Sequence, residues 1–551
     1  MRRRRILRWW PAIPVVVTAL VIYAAWPGRS TFTVSAETTL ITDPVDAEGY
    51  VDYPTALNQR LSQNVTPERN ANVLIWQAFG PHPEGGTMPP AFFKWLGVDS
   101  PPERGEYFIS WDKYSQANLG PPPNDVLELF DIDDDGKETW QNRVDKAMKW
   151  PWKMSEQQAI AGWLKQNEKP VALLVEASKR PDYYNPLVSK SSDPRSARVI
   201  SCLLPSVQKC REVARLLTCR AMAHVADGDY DAAWEDLIAC HRLGRLLSKS
   251  GTLIETLVGI AIESIAANAE LTFLSHGNHS SEQIRKWMDE LQKLPPSMPL
   301  ADKLDLTERY MMLDSMQSIA IVGARKLSEF DFPGPSSRSK DPVLDKLFTR
   351  SVDFDPAFRN ANQMYDRCVA ACRKPDRATR KQELAAIEMD LKKTKSAVAE
   401  LSAFDKLTMG KTKRGEQIGN ILNSLLFPAV QKIQDACDRS AQINDNLRVA
   451  FALAAYRADH KQYPTTLDEL APKYLIKVPG DLFSGMALTY RKIDDGYLLY
   501  SFGVNELDDD GQWIDDDPKG DDPRVRMPVT EPKERPVFQF QRPGFPGGAI
   551  D

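Results

Sequence analysis

The chain has 551 residues, 42% hydrophobic and 26% charged, enough for roughly two to four domains with buried cores. A formal net charge of −5 argues against a nucleic-acid partner. Seven scattered cysteines with no Cys-x-x-Cys pair exclude a disulfide scaffold, a zinc ribbon and a thioredoxin site, and leave buried thiols as the expectation.

Arg2 to Arg5 and Arg8 precede an uncharged run from Trp9 to Gly28. The run is long enough to cross a hydrocarbon layer of about 30 Å at about 1.5 Å per residue, and Trp9, Trp10 and Trp26 suit its two interfaces. Five arginines before the run against Arg29 after it predict a cytoplasmic N-terminus, a single-pass inner-membrane anchor through residues 9–28, and export of the remainder. The alternative is a signal peptide cleaved after Val34-Ser35-Ala36, although Ala36 lies far beyond the apolar run.

Residues 31–200 read as an irregular helical region. Thr66-Pro67-Glu68 predicts a helix start and Gly80 its end, Ala91 to Leu96 a short apolar helix, and Ser155 with Gln158 a capping box for a helix through Leu164. Asp131, Asp133, Asp135 and Gly136 match the first half of an EF-hand loop, which makes Asp131, Asp133 and Asp135 candidate calcium ligands. Position twelve of that loop is Asn142 rather than the bidentate glutamate, and a solvated turn is the competing reading.

Residues 201–325 form the strongest helical stretch. Ala221, Val225, Gly228, Tyr230, Ala233, Leu237 and Cys240 resemble a tetratricopeptide hairpin, two helices joined at Gly228-Asp229-Tyr230. One such unit cannot bury its own face, so an irregular array follows, with further helices over Leu253–Phe273, from Ser280 to before Pro295-Pro296, and over Ala301–Val322. Residues 326–360 read as a linker and 361–428 as exposed helices, Ala361–Cys372 and Arg377–Leu407, the latter rich in Lys and Glu, which suggests an exposed helical hairpin or short coiled coil. His224 and His241 fall near Cys219 and Cys240, where packed or surface histidines are the expectation rather than a metal site. Gly410-Lys411-Thr412 lacks the first glycine of a P-loop, and Gly-x-Ser-x-Gly, His-Glu-x-x-His and Gly-x-Gly-x-x-Gly are absent.

Residues 429–522 form the C-terminal domain and 523–551 a proline-rich tail expected to be disordered. Leu447, Phe451, Ala455 and Ala458 make one apolar helical stripe that ends at Tyr463-Pro464. Thr466 predicts the cap of a short helix over Leu467–Leu470. Two aromatic-rich runs, Leu488–Ile493 and Tyr497–Phe502, flank Asp494-Asp495-Gly496 and predict a β-hairpin. The series Tyr463-Pro464-Thr465, Leu470, Pro479, Asp481, Gly485, Tyr490, Gly496, Tyr500, Ser501 and Gly503 resembles the globular domain of the type II secretion major pseudopilin, over about residues 447–522.

In that family a loop after Ser-x-Gly binds calcium. The resemblance implies a calcium loop here, in a stretch holding Asp508, Asp509, Asp510, Asp515, Asp516 and Asp517, with Asp508, Asp510 and Asp515 as candidate ligands. Leu482 stands where the family has proline, the loop is rich in aspartate rather than glycine, and nothing around Trp9 resembles a processed pseudopilin start.

The expected fold is therefore mainly α: an N-terminal transmembrane helix, an irregular helical array and a small α+β C-terminal domain with a long helix and an antiparallel hairpin. The expected function is that of a membrane-anchored extracytoplasmic scaffold, non-enzymatic, with a protein partner on the helical array and calcium as a cofactor. The alternatives are an accessory component of a type II secretion or pilus-like system, and an envelope hydrolase with a dispersed acidic site.

Overall fold

The computed structural model describes residues 30–83, 87–119, 140–189, 199–202, 204–322, 351–402, 405, 409–514 and 516–532. The anchor expected over 9–28, the EF-hand-like Asp131, Asp133 and Asp135, most of the linker and Asp515 lie outside the described residues. What is described is mainly helical, with one three-stranded antiparallel sheet.

Among the described residues seven short helices come first: α1 (Tyr53–Leu61), α2 (Ala71–Phe79), α3 (Pro90–Leu96), α4 (Trp111–Asn118), α5 (Trp140–Ala147), α6 (Gln158–Gln166) and α7 (Glu168–Ser178). Gly80 ends α2 at φ 77, as expected. The start of α2 differs from the expectation. Thr66 to Asn70 closes a turn, and the Asn70 side chain caps α2 by accepting from Asn72 N at 3.1 Å. Ser155 caps nothing, because α6 begins only at Gln158.

The array follows as α8 (Pro205–Asp227), α9 (Tyr230–Lys249), α10 (Leu253–Ser275) and α11 (Ser281–Gln292). Gly228, at φ 78, closes α8 in the left-handed conformation, and the Asp229 side chain caps α9. Trp234, Phe273 and Trp287 stack between helices, with Phe273 and Trp287 centroids 4.8 Å apart. α10 is long and apolar enough to cross a bilayer, yet it packs against α8 and α9 and carries the buried Glu255, Glu263 and Glu270.

A second core gathers α12 (Leu300–Lys303), a π-helical turn over Leu304–Glu308, α13 (Arg309–Val322), α14 (Asp355–Cys372), α15 (Arg377–Ala399) and the first half of α16 (Lys411–His460). α14 departs from the exposed-helix expectation: Phe358, Ala361, Tyr365 and Cys368 form a fully packed face, because α16 and α13 lie against it. At 50 residues, α16 is about 75 Å long, and the boundary expected between 428 and 429 falls inside it. Its second half carries Leu447, Phe451 and Ala455 into the same core as the array, where Phe451 meets Trp234 at 5.9 Å.

Beyond α16, Thr466 and Glu469 form a reciprocal capping box on a 3-10 turn over Leu467–Leu470. The sheet runs β1 (Thr489–Ile493), β2 (Gly496–Tyr500), β3 (Arg524–Met527), with Tyr490 opposite Leu499 and Leu499 opposite Val525. Residues 524–527, expected as tail, are thus a strand. Every residue of β2 is buried, so its second backbone edge needs a partner; the backbone of β3 supplies it, with Val525 and Met527 turned inward.

Candidate functional site

The stretch that follows α16 is organised around two aspartates. Asp481, nearly fully buried, accepts from Phe483 N at 2.8 Å, Ser484 Oγ at 2.7 Å and Phe502 N at 2.9 Å. It ties the Pro479-Gly480-Asp481 loop to the end of β2. Asp522 closes the acidic loop from the other side: its Oδ2 accepts from Asp509 N and Gly511 N, each at 3.0 Å. Gly511 at φ 71 lets the backbone turn toward that carboxylate.

One carboxylate oxygen from each of Asp509, Asp521 and Asp522 lies within 4.8 Å of the other two. Asp509 Oδ2 accepts from Asn505 Nδ2 at 2.9 Å and Asp521 N at 3.0 Å, and Asp521 Oδ2 from Asn505 N at 3.2 Å. Asp521 Oδ1 and Asp522 Oδ1 are buried and accept no hydrogen bond. Burial pushes the Asp522 carboxyl up to about 6; two backbone N–H groups oppose this, and the charges of Asp509 and Asp508 add to it. Three converging carboxylates with two orphaned oxygens form a donor set of hard oxygens, which suits calcium or magnesium.

Of the residues expected as ligands, Asp515 lies outside the described residues, and Asp508 and Asp510 make other contacts in the loop. Asp508 Oδ1 accepts from Tyr500 Oη at 3.1 Å and Asp510 N at 2.9 Å, and Asp510 Oδ1 pairs with Arg491 Nη2 at 3.0 Å. Asp516 is held by Arg524 and by Trp513 N at 2.7 Å. Asp521 and Asp522 escaped the sequence reading because they sit ten or more residues beyond the Asp508–Asp510 run. A signal existed in Gly503, whose missing side chain leaves room for the Asp521 carboxylate.

No known protein family, curated protein or solved structure matches this chain.

A second feature lies where the array meets α16. A cleft of about 880 Å³ is bounded by α9 and α10, by the middle of α16, and by the non-helical segment Pro295–Pro299. His241 and Glu263 form part of its floor. His241 Nε2 lies 3.1 Å from Glu270 Oε2 and Nδ1 lies 4.0 Å from Glu263 Oε2, while Arg245 Nε lies 3.0 Å from Glu263 Oε2. Burial pulls the His241 pKa down, but the Glu270 and Glu263 carboxylates outweigh it and push it up to about 9. α9 and α10 approach closely here because Gly244 faces Gly259; a Cβ on Gly244 would lie 2.9 Å from Gly259 O and 2.7 Å from Glu263 Cγ. Two further ion pairs line the cleft, Arg380 with Asp438 at 3.0 Å and Arg448 with Asp445.

Proposed function

We propose that the protein is a membrane-anchored, extracytoplasmic scaffold whose pseudopilin-like end is a module fixed by calcium at Asp509, Asp521 and Asp522. The observation that carries the metal is the pair of buried, unpartnered oxygens, Asp521 Oδ1 and Asp522 Oδ1, beside a third carboxylate. Leaving such oxygens unsatisfied costs on the order of 1–3 kcal/mol each, and a bound cation removes that cost. The Arg-flanked run over 9–28 supports the anchor, and the order Tyr-Pro-Thr, Pro-x-Asp, hairpin and Ser-x-Gly supports the likeness to a pseudopilin head.

The binding role of the helical body rests on its architecture. The array and the C-terminal module share one core through α16, so a partner held by the array is held rigidly to the module. Each carboxylate lining the cleft is engaged by an arginine, which favours binding over acid–base hydrolysis. An accessory role in a type II secretion or pilus-like machine is the specific form of this reading that the module favours.

The test is thermal unfolding of the full chain in detergent with calcium and with excess chelator. A calcium-dependent rise in melting temperature that Asp522→Asn abolishes supports the module; identical curves in both conditions would remove the metal from the proposal.

A further inference from the structure

The middle of α16 presents a polar stripe to the cleft where helix packing would call for apolar side chains. Gln434, Asp438, Asn444, Asp445 and Arg448 recur at three-, four- and seven-residue helical spacings and all line the cavity. From Gln434 to Arg448 the stripe is about 21 Å long, which matches about six residues of extended chain at about 3.3 Å each.

The lining limits the occupant. Arg245, Arg380 and Arg448 are each matched by a carboxylate, and His241 by Glu270, so among the described residues the wall carries no free positive excess for a phosphate or a nucleic acid. Among the described residues no Trp, Tyr or Phe lines the cleft, so a flat base finds no stacking ring there. What remains is a neutral surface rich in groups that both donate and accept. Gln434 Nε2 donates to Asp438 and Asn444 Nδ2 to Glu263, and neither amide oxygen accepts a hydrogen bond among the described residues. Ile260, Leu294, Met298 and Leu447 provide apolar floor between the polar positions. Alternating backbone N–H and C=O groups with side chains of mixed polarity fit that pattern.

We propose that this cleft binds an extended peptide segment of a partner protein, about six residues long, laid along α16. This gives the scaffold reading its partner class and rests on that reading, but not on the calcium loop.

The test uses the full chain and a displayed library of random dodecapeptides. Enriched peptides are then measured on the wild type and on Ala441→Trp, whose indole would fill the cleft from an exposed position on α16. The expected result is at least a tenfold loss of affinity in the variant. In the wild type, bound peptide slows alkylation of Cys437, which lines the same cleft, by N-ethylmaleimide. Should Ala441→Trp fail to fold, wild type pre-alkylated at Cys437 provides the same comparison. An absence of enriched peptides, or equal binding to open and blocked cleft, overturns the proposal. The same overturning holds if a neutral hexasaccharide protects Cys437 and no peptide does. If the calcium-dependent melting shift persists through such a failure, the metal-fixed module stands and only the peptide site falls; if the shift is absent while peptides bind the open cleft, the reverse holds.

Discussion

Gly503 and Asp521 face each other so closely that a Cβ on the glycine would overlap the Asp521 carboxylate. The Ser-x-Gly end of β2 therefore does more than stop a strand. It makes the space in which one candidate metal ligand turns toward the other two.

Gly503→Ala is expected to displace Asp521 and to destabilise the chain by about 1–3 kcal/mol, the usual cost of overpacking a tight site. The calcium-dependent melting shift should be lost with it. Differential scanning calorimetry with and without calcium reads both effects; an unchanged calcium shift would show that Asp521 takes no part.

The two sets of aspartates make opposite predictions. Asp522→Asn should abolish the calcium shift, whereas Asp508→Ala and Asp510→Ala should retain it, because those side chains are engaged by Tyr500 and Arg491. The Arg491 pair is largely exposed, so its loss should change stability by less than about 1 kcal/mol.

Acidity should couple to the metal with a defined sign. Asp522 titrates near 6 in the folded chain, above its unfolded value near about 4. Without metal, its contribution to stability is full below about pH 4 and is lost as pH rises through about 6. Calcium needs the deprotonated form, so the calcium-induced rise in melting temperature should be small at pH 5 and large at pH 7. Melting curves at those two pH values decide it; a shift equal at both would remove Asp522 from the ligand set.

His241 gives a second pH signature in the opposite part of the scale. Its folded pKa, near 9, is raised from an ordinary value near about 6.5. The stability it contributes is complete below about pH 6.5 and is lost as pH rises through about 9. His241→Leu leaves Glu270 buried without its cation, while Glu263 keeps Arg245, and should cost about 3–5 kcal/mol at neutral pH. Adding Glu270→Gln should recover part of that loss. Denaturant melts of the single and double variants at pH 7 and pH 9.5 test this, and a single variant as stable as the wild type would show the charges to be independent.

The helix crossing beneath this network is equally specific. Gly244→Ala puts a methyl 2.9 Å from the Gly259 carbonyl and should separate α9 from α10, at a cost of about 1–3 kcal/mol. Tryptophan fluorescence during urea unfolding would report it through Trp234 on α9.

Local signals were legible where the chemistry is local. Gly228-Asp229 between α8 and α9, the Thr466 cap, and the hairpin around Asp494-Asp495-Gly496 are each set within a few residues, and all appear where expected. α14 read as exposed because its apolar positions mix with Arg359, Gln363 and Asp366, and composition alone does not reveal that α13 and α16 cover its other face. β3 was missed for a similar reason. Four residues between prolines carry no strand signal of their own, and only the open edge of β2 makes them one.

By itself, the sequence determined a mainly helical chain, the hairpin of the array, and an acidic loop following Ser501-Phe502-Gly503. Helix periodicity, caps and turns act over three to four residues, so the linear order suffices to show them. Tertiary structure alone decided which carboxylates converge, bringing Asp521 and Asp522 back to Asp509 across a loop. It also set His241 between two glutamates from another helix and opened a polar cleft along α16. Those contacts join residues far apart in the chain, and their partners are fixed by packing around the shared core rather than by any neighbouring residue.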